Sequence, residues 1–248
     1  MIILSILFLI TAILYSSVGF GGGSTYLALL LLWEIPYYIF PVIALFCNII
    51  VVTGNCINYI RAGNHNFKLL IPFLVGSIPF AYLGGTLIIN KEIFEILLFI
   101  VLSAAGFLLL LNNKAYENKD VIVKRLSFFV SIIVGSFLGL ISGIVGIGGG
   151  IFLSPILFLL KADRPKNIVT TASLFILVNS MFGVFGQLTK DNVLNEFIFY
   201  WPLFLSVLIG GLIGNYLNLK IFSNRVLALT TSLLVIFVTV RMAFRIFI

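Results

Sequence analysis

A run of three glycines occurs twice in this sequence, at residues 21–23 and again 127 positions later at residues 148–150. Each run lies inside an apolar stretch without charged residues, 1–33 in the first case and 126–160 in the second. As a single α-helix, either stretch would be roughly 50 Å long, against a hydrocarbon core of about 30 Å. Consecutive glycines also have a low helix propensity. The sequence therefore predicts a membrane helix that is broken at each glycine run.

Ten residues follow each glycine run before the apolar stretch ends, which is enough for a half-helix of about 15 Å. The first amides of such a half-helix have no partner within the helix, and they carry the positive end of its dipole. Inside a membrane, irregular backbone is tolerated only where protein covers it or where it lines a wet cavity. The pattern predicts two anion-facing backbone sites. The alternative is that the glycines only allow helices to pack closely.

The composition places the whole chain in a membrane. Of its 248 residues, 61% are hydrophobic and only 9% are charged, as in integral membrane proteins. The net charge of +7 comes from Lys and Arg residues between the apolar segments, so no basic face exists to bind nucleic acid. Cys47 and Cys56 share one apolar segment without a further Cys or His pair. This argues against a disulfide framework or a metal site, and no cofactor is expected.

The two halves of the chain resemble each other beyond the glycine runs. Pro72 and Pro202 are separated by 130 positions, and the same spacing separates Gly84 from Gly214. These matches indicate an internal duplication.

The duplication predicts an all-α polytopic membrane protein built from two five-segment repeats. The first repeat covers residues 1–112, a linker covers 113–124, and the second repeat covers 125–248. The expected helical segments are 2–17, 23–33, 36–60, 67–89 and 92–112 in the first repeat, and 125–145, 150–160, 165–188, 195–219 and 224–246 in the second.

The charges of the loops favour one topology. If each half crosses the membrane an odd number of times, most of the 15 Lys and Arg residues gather on the side of the linker. The positive-inside rule makes that side cytoplasmic. We therefore expect inverted repeats with both termini outside, so that the two glycine runs approach the middle of the membrane from opposite sides. Whether the short segments after the glycines span the membrane or re-enter it is left open.

The candidate ligands at membrane depth are neutral. The third segment of the first half contains Asn48, and its counterpart contains Thr170, Thr171, Ser173 and Asn179. Such side chains commonly form hydrogen bonds between helices, but they also solvate an oxyanion without a buried cation. The candidate substrate-binding residues are Gly21, Gly22, Gly23, Ser24, Thr25, Asn48, Gly148, Gly149, Gly150, Thr170, Thr171, Ser173 and Asn179.

Two carboxylates stand at matching positions two residues ahead of a proline. Glu34 precedes Pro36, and Asp163 precedes Pro165 at an offset of 129. Either side chain is placed to cap the helix that follows. A coupling or gating role is the alternative. Because no buried cluster of His, Cys or acids is evident, and no base accompanies a Ser or Thr nucleophile, an enzyme is not expected.

The glycine motif of both halves, the run Thr170-Thr171-Ala172-Ser173-Leu174-Phe175, the run Val178-Asn179-Ser180, and Gly84 with Gly214 resemble the TauE/SafE family of sulfite exporters, a group of membrane permeases. The resemblance covers essentially the whole chain. It implies export of sulfite or small organosulfonates, without ATP, by a multi-pass protein of the bacterial plasma membrane. The family usually has a proline after its second glycine block, matched here by Pro155, whereas Ala28 stands at the corresponding position of the first half.

Other functions stay open at this stage. One is a proton- or ion-coupled importer of a similar anion, in which Glu34 or Asp163 titrates during transport. Another is a membrane assembly protein. The expected partners are a small anionic substrate and the lipid bilayer, and the oligomeric state is left open, with a homodimer as one alternative.

The topology predicts that Lys119, in the linker, lies in the cytoplasm. A Lys119→Cys variant in intact cells should react with a membrane-permeant thiol reagent and not with an impermeant reagent added outside, because the membrane separates the two. The unsubstituted chain, with its native Cys47 and Cys56, is the control. Labelling of position 119 from outside would overturn the inverted topology.

Overall fold

The structure, a computed structural model, describes residues 1–111, 126–190 and 193–218, with a few isolated positions beyond 235. Every regular element among these residues is a helix. The helices are α1 (Ile2–Ser16), α2 (Gly23–Leu32), α3 (Phe40–Arg61), α4 (Phe67–Thr86), α5 (Lys91–Leu111), α6 (Phe128–Val145), α7 (Gly150–Leu159), α8 (Pro165–Gln187), α9 (Val193–Phe197) and α10 (Trp201–Asn218). Short 3-10 turns at Tyr37–Ile39 and Ile198–Tyr200 precede α3 and α10. The linker and most of the expected last helix lie outside the described residues.

Five of the described helical segments are long and apolar enough to cross a membrane. They are Tyr37–Arg61, Phe67–Thr86, Phe128–Val145, Lys166–Gln187 and Ile198–Leu217. The outer surface is apolar as well, and Phe129, Ile133 and Leu212 are each more than 60% exposed. Together with five apolar helices, exposed apolar surface on this scale is typical of a protein surrounded by lipid. The chain is therefore a multi-pass membrane protein.

Both expected helix breaks are present. The backbone leaves the helical path between the end of α1 and the start of α2, and again between α6 and α7. The half-helices α2 and α7 have 10 residues each, about 15 Å at the usual rise, or half of a hydrocarbon core. Their bounds agree with the expected segments to within one residue.

The helices α4 and α6 touch backbone to backbone. Three glycines of α6, spaced four residues apart, lie where a Cβ atom would collide with a carbonyl oxygen of α4: Gly135 against Phe73, Gly139 against Ser77 and Gly143 against Ala81. Small residues at such a spacing allow close helix packing in membranes. Because the contacts advance together along both helices, α4 and α6 are parallel.

The same packing recurs between α1 and α10. Gly214 of α10 meets the carbonyl oxygen of Ile13, just as Gly84 of α4 meets that of Leu140 in α6. The two glycines are the pair matched by sequence, and Ile13 and Leu140 are 127 positions apart, like the glycine runs. Because α9 has only five residues, we count α10 as the fourth helix of its half. The first helix of each half therefore packs against the fourth helix of the other half.

Helices α3 and α8 cross the centre in opposite directions. Leu45 lies near the start of α3 and Gly183 near the end of α8. A Cβ atom built on Gly183 would stand 2.9 Å from the Leu45 side chain. Helix α10 runs parallel to α3, since Gly211 contacts Val51 and Asn215, four residues later, contacts Gly54. Helix α4 runs parallel to α8, because both their starts and their ends are in contact. These directions are what inverted repeats require, and the inverted repeat itself stays a prediction.

The two ends of the bundle differ in charge. Among the described residues, the end formed by the α3–α4 and α7–α8 loops carries Arg61, Lys68, Lys161, Arg164 and Lys166 with Asp163. We call it the cationic end. The opposite end carries Glu34, Glu92, Glu95 and Glu196 with Lys91 and Lys190, and we call it the acidic end. The positive-inside rule predicts that the cationic end faces the cytoplasm, so the orientation stays the prediction already made from the loop charges.

The glycine packing predicts that Gly139→Leu destabilises the protein. The leucine would have to separate α6 from the backbone of α4 at Ser77, and overpacking of this kind costs about 1–3 kcal/mol. The thermal midpoint of the purified protein in detergent should fall by several degrees. Phe137→Leu is the control, because the Phe137 side chain, on the same helix, is 62% exposed. This substitution should leave the thermal midpoint unchanged. An unchanged midpoint for Gly139→Leu would contradict the close packing of α4 and α6.

Candidate functional site

The two helix breaks meet in the interior. A Cβ atom built on Gly23, the first residue of α2, would stand 2.7 Å from the carbonyl oxygen of Ile147 in the second break. The start of α2 and the segment leading into α7 are therefore in backbone contact. The positive ends of two half-helices converge on this point.

Asn48 of α3 lies between the two breaks. Its side chain is fully buried and its Nδ2 donates to the carbonyl oxygen of Ile147 at 3.3 Å. A Cβ atom on Gly23 or on Gly148 would stand 2.7 Å from that nitrogen, and Gly21 faces the Oδ1 atom. The glycines on both sides thus leave the room that the Asn48 amide occupies. The structure brings Asn48 together with both glycine runs, and its role in binding a substrate stays a prediction.

One face of α8 closes the site from the other side. Gly148 lies against Ile176 and Ser180, and Gly150 lies against Ile176 and the carbonyl oxygen of Ala172. The three α8 residues are spaced four apart, so they form one stripe along the helix. Gly149 instead faces the ring of Phe175, at 2.9 Å from a built Cβ atom.

Several buried polar atoms around the breaks have no hydrogen-bond partner within the protein. They include Asn48 Oδ1, Ser180 Oγ, Thr171 Oγ1 and Asn179 Oδ1. A buried polar group without a partner costs about 1–3 kcal/mol. Asn48 Oδ1 and Ser180 Oγ belong to the two side chains that touch Gly148, so they are available to a ligand at the meeting point of the breaks.

The start of α2 is braced by a tyrosine. The Tyr15 hydroxyl is 2.8 Å from Thr25 Oγ1 and 3.3 Å from Ser24 Oγ, and its ring packs against Gly22. The side chains of Ser24 and Thr25 are therefore both hydrogen-bonded to Tyr15. The backbone N–H groups of Thr25 and Tyr26 donate to the Gly22 carbonyl at 3.0 Å each, so the amides ahead of them are the ones left without a helical acceptor.

Helix α8 also supports the first break. Ser173 Oγ donates to the carbonyl oxygen of Gly19, while Tyr59 of α3 covers the same glycine. Thr170 Oγ1 donates to the Lys166 carbonyl at 2.9 Å within α8. Asn179 Nδ2 likewise donates within the helix, to Phe175 at 3.0 Å.

The structure does not place Glu34 and Asp163 at equivalent positions of the two halves, so this part of the sequence prediction is wrong. Glu34 is exposed and has a left-handed φ of 55° just after α2, and the residue in the same position after α7 is Lys161, with φ of 51°. The two are 127 positions apart, like the half-helices themselves. Glu34 does not cap α3, whose N-cap residue is Ile39. Its coupling or gating role is an untested prediction.

Asp163 does stabilise the start of α8. Its Oδ1 accepts from the Arg164 backbone N–H at 2.6 Å and from Asn167 Nδ2 at 3.0 Å, and its Oδ2 accepts from Asn66 Nδ2 at 2.6 Å. The side chain is buried, but it lies at the cationic end and not at the breaks.

Near the acidic end, Lys190 is linked to the turn before the second break. Its ammonium donates to Gln187 Oε1 at 2.8 Å, and Gln187 Nε2 donates to the Gly143 carbonyl at 2.6 Å. Burial lowers the pKa of Lys190 to about 8. The residue is still mostly protonated at pH 7, so a positive charge remains close to the end of α6.

Two residues at the site are absent from the substrate-binding set proposed from sequence. Ser180 follows Asn179, which was in that set, and its spacing from Ile176 is the only sequence signal that places it on the stripe facing Gly148. Tyr59 has no such signal, because its position depends on the antiparallel crossing of α3 and α8.

Half-helices whose starts converge inside a multi-pass bundle are typical of secondary membrane transporters, and the chain is a membrane transporter. Residues 4–242 match the family described as Sulfite exporter TauE/SafE, and the protein belongs to this family.

Its relatives bear the same general description. A probable membrane transporter protein of Sinorhizobium fredii is 24% identical over 93% of this chain and 93% of its own length. One from Xylella fastidiosa is 30% identical over 80% of this chain and 76% of its own length. One from Methanocaldococcus jannaschii is 27% identical over 74% of this chain and 70% of its own length. No solved structure matches the chain.

The break geometry predicts that Gly22→Val and Gly149→Val abolish transport while the protein still inserts into the membrane. Both glycines have left-handed φ angles, 89° and 75°, which a β-branched residue adopts only under strain. Gly63→Val is a matched control, because Gly63 has φ of 71° with open space around it in a loop. Normal flux in both break variants would remove the breaks from the transport mechanism.

Proposed function

We propose that this protein is a secondary transporter that exports a small sulfur oxyanion, sulfite or a small organosulfonate, through the meeting point of its two helix breaks. The observation that supports this most is the convergence of the starts of α2 and α7 on the buried Asn48. Each half-helix offers unpaired amides and the positive end of its dipole, which favours an anion by about 0.3–2 kcal/mol.

The surroundings of the breaks favour an oxyanion. Among the described residues that contact Gly21, Gly23 and Gly148, the side chains are neutral, and Asn48 and Ser180 are the polar ones. Such groups solvate a ligand with several acceptor oxygens without a buried cation. The sulfur in the proposal rests on the description of the family, since the relatives are named only as probable membrane transporter proteins.

The proposed direction is outward, across the bacterial plasma membrane. With a negative cell interior, each unit of negative charge that leaves gains about 2.3 kcal/mol per 100 mV. The membrane potential alone is then sufficient to drive export. A buried acid relay next to the substrate is not required.

A proton-coupled importer is the second candidate, and the buried position of Asp163 is the observation behind it. This carboxylate is buried and receives three hydrogen bonds, one of them from Asn66 in the other half. Coupling through Asp163 would make flux depend on a pH gradient.

Flux from proteoliposomes separates these functions. Vesicles loaded with sulfite, sulfoacetate, sulfate or chloride are given a potassium-diffusion potential of either sign without a pH gradient. Potential-driven efflux selective for sulfite or the sulfonate is expected. Asn48→Leu should reduce it at least tenfold, because a hydrogen bond to a charged ligand contributes about 1.5–3 kcal/mol.

Thr53→Val is the control for this substitution, since Thr53 lies on the exposed face of the same helix. Flux that requires a pH gradient and is lost in Asp163→Asn would favour the coupled importer. No flux of any sulfur anion would overturn the proposal.

A further inference from the structure

Two side-chain hydrogen bonds join the halves of the protein near the ends of the bundle. At the cationic end, Asn66 of the first half donates to Asp163 of the second at 2.6 Å. At the acidic end, Tyr38 of the first half donates to Glu196 of the second, with both carboxylate oxygens at 2.6 Å. We call these contacts the cationic latch and the acidic latch. In each, a neutral donor binds a carboxylate, the stronger class of hydrogen bond.

The latches occupy corresponding places in the two halves. Asn66 and Glu196 are 130 positions apart, the same spacing as Gly84 and Gly214, and each lies just ahead of a fourth helix. Tyr38 and Asp163 both lie between a half-helix and the third helix of their half. In each latch, a residue ahead of the third helix of one half contacts a residue ahead of the fourth helix of the other half, although both donors belong to the first half.

The directions of the helices put the latches at opposite ends. The acidic latch lies at the start of α3 and the cationic latch at the start of α8, and these two helices are antiparallel. Asn48 is ten residues beyond Tyr38, roughly 15 Å along the chain. Ser180 is seventeen residues beyond Asp163, roughly 25 Å. The meeting point of the breaks therefore lies between the latches.

The described conformation is closed toward both ends. Asn48 and Ser180 are fully buried while both latches are formed. For a solute to reach them from one side, the halves must separate at that end.

We infer that the two latches are the gates of the transport cycle, and that the cationic and acidic latches open in alternation to expose the meeting point of the breaks to one side at a time. Tyr38, Glu196 and Asn66 are then gating residues that act with Asp163 without touching the substrate. The inference rests on transport by this fold and not on the identity of the anion.

Accessibility of a buried cysteine tests the inference. Ser180→Cys is made in the full chain with Cys47→Ala and Cys56→Ala, and labelling with a small impermeant thiol reagent is measured from each side of the membrane without substrate. Tyr38→Phe removes the donor of the acidic latch. Asn66→Ser removes the donor of the cationic latch and keeps an N-cap for α4.

Each variant should raise the labelling rate about tenfold from its own side only, as expected for loss of a hydrogen bond to a charged group. Tyr37→Phe and Asn64→Ser remove polar groups from the same turn and the same loop, and they should change nothing. Glu196→Ala must reproduce the effect of Tyr38→Phe, which guards against a folding defect in one variant.

Because labelling needs no substrate, it stays informative even if sulfite is the wrong anion. Faster labelling from the same side in both latch variants, from both sides in either one, or no change in any variant would overturn the alternation.

Discussion

The structure depends on hydrogen-bond partners for two stretches of non-helical backbone that lie where lipid can offer none. A membrane offers no water to exposed carbonyl and amide groups, so each break must find partners in the protein. The first break receives a hydrogen bond at Gly19 from Ser173, and the second receives one at Ile147 from Asn48. In both cases the donor comes from the long central helix of the other half. Neither half can therefore complete its own break, and the crossing of α3 and α8 is what makes both breaks tolerable.

Glycine sets how close these parts approach. Along α4 and α6 it allows backbone contact, which brings the first helix of one half against the fourth helix of the other. At the breaks it serves a different purpose, since side chains at Gly23 and Gly148 would occupy the place of the Asn48 amide. The glycines between α4 and α6 and the glycines at the breaks are thus required for separate reasons. The first set holds the halves together, and the second leaves room for polar groups at their junction.

Sequence reasoning succeeded where length and composition decide the outcome. The half-helices follow from apolar stretches too long for one span, and their bounds were predicted to within a residue. It failed at Glu34 because the prolines were used as anchors, whereas the spacing between the halves changes only after Glu34 and Lys161. It also missed Ser180. Helix α8 is buried on most of its surface, so no amphipathic pattern shows which face meets the breaks. Only the three-dimensional crossing of α3 and α8 supplies that information.

The convergence of the two half-helices also has an electrostatic consequence for the whole molecule. Two positive helix ends that face each other repel, and the repulsion is strong where little water screens it. An anion between them converts this repulsion into attraction toward a shared ligand. Because α2 and α7 belong to different halves, the same ligand draws the halves together at the centre. Latch contacts at each end of the bundle and an anion at the centre would therefore all act between the two halves, the latches on one end each and the anion on their junction. In the proposed transport cycle, binding of the anion at this point would therefore be coupled to the motion of the two halves.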